Sequence, residues 1–362
     1  PVDGFSPITD TFDTRPIRGV LQVWSENRRL IFYGDVRNLY KYDADADTLE
    51  RVSKGQNSYN GAFWSFAQWG DWVIATNGVN PVQVYKGGNF ADLTTDLQGT
   101  LTASKVATHR AHAIFFGTDD EGRELVFSDE DDINTFIPQI SNGAGSLFVR
   151  DIASPIRAIS EHQEGVVFYG DKTAHILRWI QAPLYFGVDL LSKNVGVFGP
   201  NSVVQIGGVD FGFGNDGIWM MQPGGQPNYI DTPAIHRTVY GDIDFDNAEK
   251  CTAWVDVKQG LVIFSYPSLE DGEGEPTRSV MFTMDTQTWC PLDFAATGAS
   301  YSPVFQFTSV GDWQGQLYWH GIRGINQPTA FSTLGYIPLT DDVVGENYYG
   351  IAGYGELGYG GP

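Results

Sequence analysis

The stretch RLIFYGDVRNLYKYD, residues 29–43, returns 136 residues later as GVVFYGDKTAHILRW, residues 165–179. Each is an apolar run, a Gly-Asp turn and a second apolar run, the pattern of two short strands joined by a tight connection. Further stretches align on this pair: DWVIATNG from 71, HAIFFGTD from 112, VDFGFGND from 209, GLVIFSYP from 260 and QLYWHGIR from 316. Successive members of the series lie 42, 41, 53, 44, 51 and 56 residues apart. A further apolar run follows most members (NLYKYD, VQVYKG, ELVFSD, HILRWI, GIWMMQ), with SVMFTM arriving only after the insertion LEDGEGEPTR. Another precedes them (AFWSFAQW, ASKVATHRA, PIRAISEHQ, SVVQIGG, CTAWVDVKQ, PVFQFTSV). The unit is thus three or four strands in roughly 40–55 residues.

One small sheet cannot bury both of its faces, but sheets packed radially around an axis can, and their middle strands then read as continuous apolar runs. The pattern predicts an all-β chain: a β-propeller of about six to seven four-stranded antiparallel blades, with few short helices. A two-sheet sandwich of many strands is the competing architecture. The glycine of FYGD and FFGTD is expected to supply a positive φ at the turn. TPAIHRTVYGDIDFDNAEK, residues 232–250, is the best candidate for a short helix, with Pro233 near its start and Ile235 and Val239 four apart. The propeller is assigned to residues 17–335, preceded by an N-terminal arm over 1–16 and followed by a Gly/Tyr-rich tail over 336–362.

Composition agrees. The 43 glycines and 18 prolines leave little room for long helices, while 14% aromatic residues supply ample core. Lys and Arg number 22 against 44 Asp and Glu, a net charge of −22 that repels nucleic acid and anionic membranes at long range. No 18-residue apolar run is present to span a bilayer, and PVDGFSPITD lacks the features of a signal peptide, so cytoplasmic synthesis is the expectation. Cys251 and Cys290 read as buried thiols, with a single disulfide as the alternative.

Motifs of chemistry are few. DDEGRE at 119–124 and SDEDDIN at 128–134 are dense in carboxylates, yet lack the spacing of a calcium loop and read as two solvated turns of one blade. His109 and His112, placed on one strand, would point to opposite faces and not share a metal. No nucleophile elbow, P-loop or dinucleotide fingerprint occurs. Trp64, Trp69, Trp72, Trp179, Trp219 and Trp254 fall inside apolar runs, which favours packing between blades over a sugar platform. No catalytic residue, metal ion or cofactor is expected. The candidate contact residues are Glu270 and Asp271 of the polar loop 269–278, expected to protrude, and Tyr348, Tyr349, Tyr354 and Tyr359 of the tail NYYGIAGYGELGYGGP, which is either disordered or ordered by docking on a partner.

FAQWGDWVIATNGVNPVQVYKGGNFADL (66–93), VVFYGDKTAHILRW (166–179), DFGFGNDGIWMM (210–221) and VMFTMDTQTWCPLDF (280–294) resemble the propeller of bacteriophage neck and tail hub or nozzle proteins, including packaged-DNA stabilisation proteins. The resemblance spans about residues 15–335. It implies a structural virion protein with no catalytic residues, in a six-fold ring of copies that contacts other neck or tail proteins and lets DNA pass without sequence-specific binding. The chain lacks the helical platform of the longer hub proteins, which leaves open whether it forms such a ring or decorates one. A negative channel wall suits passage, because it does not grip phosphates. A glycan-binding or glycan-hydrolysing propeller is the alternative, and a protein-interaction propeller the third reading.

Overall fold

The structure, a computed structural model, describes residues 14–320 except Glu26 and positions 258–259, 293, 303–304 and 306. Seven antiparallel sheets follow one another along the chain, each made of consecutive strands. The first holds β1 (Gly19–Ser25), β2 (Arg28–Gly34), β3 (Leu39–Asp43) and β4 (Thr48–Arg51). The second holds β5 (Ser65–Trp69), β6 (Trp72–Thr76), β7 (Gln83–Tyr85) and β8 (Phe90–Asp92). The third holds β9 (Lys105–His109), β10 (His112–Phe116), β11 (Glu124–Phe127) and β12 (Gly145–Phe148). The fourth holds β13 (Ala158–His162), β14 (Gly165–Tyr169), β15 (Ala174–Gln181) and β16 (Tyr185–Ser192). The fifth holds β17 (Val203–Ile206), β18 (Val209–Gly214), β19 (Gly217–Met221) and β20 (Asn228–Tyr229). The sixth holds β21 (Thr252–Asp256), β22 (Leu261–Pro267), β23 (Pro276–Thr283) and β24 (Thr288–Leu292). The seventh shows three strands among the described residues, β25 (Gly298–Ser302), β26 (Phe307–Gly311) and β27 (Leu317–His320).

The first strands touch in a closed circuit: β1 meets β5, β5 meets β9, and so on through β13, β17, β21 and β25, which returns to β1. The fold is a seven-bladed β-propeller. Its core is divided into seven apolar clusters, one per gap between blades. Phe32 and Trp64 share the gap between blades one and two, Phe116 and Phe168 that between three and four, and Ile17, Ile31 and Leu317 that between seven and one. Strands flanked by two such clusters have no solvated face, which is why β10, β14 and β22 are buried at every position.

The twin phrases are the β2–β3 and β14–β15 hairpins, as the repeat requires. Six members of the series fall on second strands. The seventh does not: QLYWHGIR holds β27, a third strand, and PVFQFTSV holds the second. The first strand of that blade is GASYS, small and polar, so it carries no hydrophobic signal to set the register.

The glycine of FYGD also has a different cause from the one expected. Gly117, in FFGTD, does sit at φ 65°, but Gly34 and Gly170 are not among the positive-φ positions. A Cβ on Gly34 would lie 2.4 Å from Cδ1 of the Trp64 indole, whose Nε1–H donates to Asp35 O at 2.7 Å. Close approach of the next blade, not backbone handedness, excludes a side chain there. Asp35 then shapes the turn, its Oδ1 accepting from the N–H groups of Arg37 and Asn38; Asn77, Asp119 and Asp312 do the same after β6, β10 and β26.

The expected helix is present as α1 (Pro233–Asp242), with Pro at its start, Thr232 capping Ile235 N and Val239 fully buried. A 3-10 turn over Phe245–Lys250 follows. Cys251 and Cys290 are buried thiols, and burial pushes the Cys251 thiol far up. Ring closure is made by hydrogen bonds: Ile17 N donates to Asp312 O (3.0 Å), Thr297 Oγ1 to Ile17 O (2.5 Å) and Gln22 Nε2 to Ser309 Oγ (2.6 Å).

Candidate functional site: the central well

The first strands wall a central well. Two adjoining cavities of ≈ 390 and ≈ 420 Å³ share Pro200, Asn201 and Ala299; one faces β1, β5, β9 and β13, the other β17, β21 and β25. Pro200 and Asn201 bridge one end. Asn201 Nδ2 donates to Thr297 O at 3.1 Å and to Arg18 O at 3.5 Å, and Asn201 O accepts from Ala253 N at 2.7 Å. Arg18, Thr297 and Asn201 stand just before the first strands of their blades, so one dipeptide ties blade five to blades six, seven and one.

At this end Glu275, from the β22–β23 loop, accepts at the same Oε1 from Arg18 Nη2 (2.6 Å) and Lys250 Nζ (3.0 Å). The Arg18 guanidinium lies over the Phe63 ring at 5.5 Å, and its Nε and Nη1 have no partner among the described residues. Two cations on one carboxylate, Arg18 buried and Lys250 half-buried, leave these three side chains with a local positive excess in an otherwise acidic molecule.

Among the described residues one amine and one carboxyl stand inside the well. Lys105, 4% exposed, opens β9 and reaches across to Pro200 O at 3.3 Å. Burial pushes its amine down to about 7. Glu161 of β13 meets the water of the well yet is ringed by protein; burial raises its carboxyl, partly offset by the Thr108 N–H. Neither group is among the causes of the other's shift, so they share a chamber without forming a pair.

A second polar cluster lies between blades four and five. Fully buried Asp210, on β18, accepts from Ser160 Oγ (2.5 Å), His162 Nε2 (2.8 Å) and Tyr169 OH (2.6 Å). Serine, histidine and aspartate together suggest a hydrolase, but Ser160 Oγ, 3.2 Å away, and Asp210 face the same Nε2. A nucleophilic relay needs them on opposite ring nitrogens. The cluster clamps two blades, and burial beside Asp210 drives the Tyr169 hydroxyl far above its ordinary range.

The residues singled out from sequence are scattered. Tyr348, Tyr349, Tyr354 and Tyr359 lie outside the described residues. Glu270 and Asp271 are away from the well, on a loop that folds back rather than standing free: Arg278 pairs with Glu270, Asp271 and Asp242, and Leu269 N donates to Asp242 O. The Thr277 hydroxyl and Arg278 hold the Asp271 carboxyl below the usual range. The acidic turns are spent locally, with Asp119 capping its hairpin, Asp129 Oδ1 accepting from Glu130 N and Gly143 N, and Asp132 accepting from Asn134 N and Thr135 Oγ1. His109 and His112 are not on one strand; they face each other across the β9–β10 turn, with His112 Nδ1 on Ser128 O and its ring packed among Phe127, Trp179 and Phe186. Trp64, Trp219 and Trp254 are buried between blades, and Trp69, Trp72 and Trp179 pack half-buried against the clusters between blades two and three and between three and four. Sequence reasoning missed Lys105 and Arg18; the sign of Lys105 was a cation beside the apolar residues Val106 and Ala107 in the run ASKVATHRA.

No family profile matches the chain, and no curated protein matches its sequence. Solved structures do match. A chain of the mitotic checkpoint complex has a TM-score of 0.56 at 10% identity, over 90% of this chain and 98% of its own. YCF48, solved bound to a D1 peptide, has 0.54 at 11%, over 87% and 94%. The computationally designed Ika8 protein has 0.50 at 11%, over 86% and 98%. At such identities the likeness is one of fold, and the fold it shows is the propeller built up above.

Proposed function

We propose that the protein is a non-catalytic building part of a bacteriophage neck or tail, assembled in several copies around the DNA exit channel through contacts with itself and other virion proteins. The observation that carries this reading is an apolar edge on blades three and four. Ile137 and Ile140 stand exposed on the β11–β12 connection, and Ile180, Leu184 and Leu190 on the β15–β16 hairpin, which runs outward beyond the length of its counterparts. The two meet where Gly143 lies against Tyr185. A cluster of this kind, rimmed by Arg178, Glu164 and Asp189, has the make-up of a subunit contact. The phrases that resemble phage hub proteins fall on blade hairpins, and YCF48, of like fold, is described with a bound peptide. The net charge of −22 suits a part that borders DNA without gripping it.

The test is the mass of the purified protein in solution by light scattering, with Leu184→Asp and Ile140→Asp as variants, together with mass spectrometry of purified virions. An oligomer that the variants dissolve, and a virion containing the chain, are the expected results. A monomer that joins no phage particle overturns the proposal.

A further inference from the structure

Lys105 is an anomaly among the described lysines. It is nearly fully buried, and its single partner among the described residues is a backbone carbonyl, Pro200 O, at 3.3 Å. No carboxylate lies within ion-pair distance among the described residues, whereas Lys41, Lys54 and Lys250 each have one. A charged ammonium in that position would be desolvated without compensation, which favours the neutral amine, and the direction of its titration agrees. With one N–H engaged by Pro200 O, the nitrogen keeps a lone pair. Beside it is the ≈ 390 Å³ chamber walled by Ser65, Thr108, Glu161 and the first strands, enough room for a small organic molecule. A neutral amine next to a small chamber is the arrangement of a nitrogen nucleophile.

We propose that Lys105 Nζ is an imine-forming amine that captures small neutral aldehydes entering the central well. The lone pair attacks the carbonyl carbon, a C–N bond forms, and the carbonyl electron pair moves to oxygen. The oxygen takes up both amine protons in turn and departs as water, leaving a C=N bond. Nothing is oxidised or reduced, and water reverses the step. The strand walls limit the aldehyde's size, and the acidic molecule repels anionic ones at long range.

The experiment uses glycolaldehyde with sodium cyanoborohydride, which fixes imines, and peptide-level mass spectrometry of the intact, folded chain. Lys105 is compared with the exposed Lys54, Lys86, Lys172 and Lys193. At neutral pH Lys105 is expected to label at least about tenfold faster than these four, with its rate levelling off above neutrality while theirs keep climbing. Lys105→Met, checked for fold by circular dichroism, removes the fast label only. Labelling of Lys105 no faster than the surface lysines, or rising in step with them through alkaline pH, overturns the proposal. Neither result bears on whether the protein assembles.

Discussion

The hairpins β2–β3 and β14–β15 share FYGD, yet they part company on either side of it. At one end the same glycine meets different neighbours: Gly34 lies under the rigid Trp64 indole, while Gly170 faces the Ser154 hydroxyl and the tip of the Ile152 side chain, single atoms rather than a ring. At the other end β3 stops at Asp43, whose Oδ1 accepts from Asp45 N and Ala46 N to turn the chain at once. β15 instead runs past a bulge at Trp179 to Gln181 and carries Ile180 and Leu184 into solvent. The inner end of a blade is fixed by its neighbours, whereas the outer end leaves a hairpin room to lengthen, as β15–β16 does even while Trp179 and Tyr185 pack on His112 of blade three. Variation, and with it contact surface, collects there.

A matched pair of substitutions separates the two glycines. Gly34→Ala is expected to cost about 3 kcal/mol or more in denaturant unfolding, because ring and backbone must both shift; Gly170→Ala is expected to cost about 1 kcal/mol. Equal costs would mean that the Trp64 contact is not the reason for the glycine.

Next in size is the pH response of the inner end. The Lys105 amine is lowered in the folded chain to about 7 from an ordinary 10.5. Below about pH 7 both folded and unfolded chains carry the proton, and the folded one bears the full burden of a buried charge. Between there and pH 10.5 only the unfolded chain holds the extra proton, so stability rises with pH across that window. Lys105→Met is therefore expected to melt higher than the parent at pH 6, by a margin that narrows toward pH 10. A margin constant with pH would place the lysine in water.

At the outer end, Leu184→Asp is expected to change unfolding by no more than about 0.5 kcal/mol while weakening association, since the residue is 67% exposed. A large loss of stability would show the hairpin to be part of the core. Smallest is a turn: β9–β10 holds Arg110 and Ala111 at φ 51° and 58°, and Ala111→Gly is expected to add no more than a few tenths of a kcal/mol, roughly what relief of one strained φ leaves after the entropy cost of glycine.

How far the sequence went follows from the same division. Second strands buried on both faces left a periodic apolar trace, so six blades and the helix at Pro233 could be placed from residues alone. Blade seven slipped by one strand because GASYS has no such trace, and the histidine pair was misread because Arg-Ala is an unusual two-residue turn. The well was not legible at all. Lys105 and Pro200 are 95 positions apart, as are no two members of one blade, and only closure of the circle sets them facing one another.

That closure has a mechanical side. Among the described residues no strand is shared between the two ends of the chain; blade one begins where the circle starts and blade seven ends it. What joins them is a handful of bonds from Ile17 and Gln22 to Asp312, Thr297 and Ser309, together with one patch of side chains. A pull applied between Ile17 and Leu317 would load those few bonds before any sheet, so among the described residues the disc unclasps at that seam and leaves each blade whole.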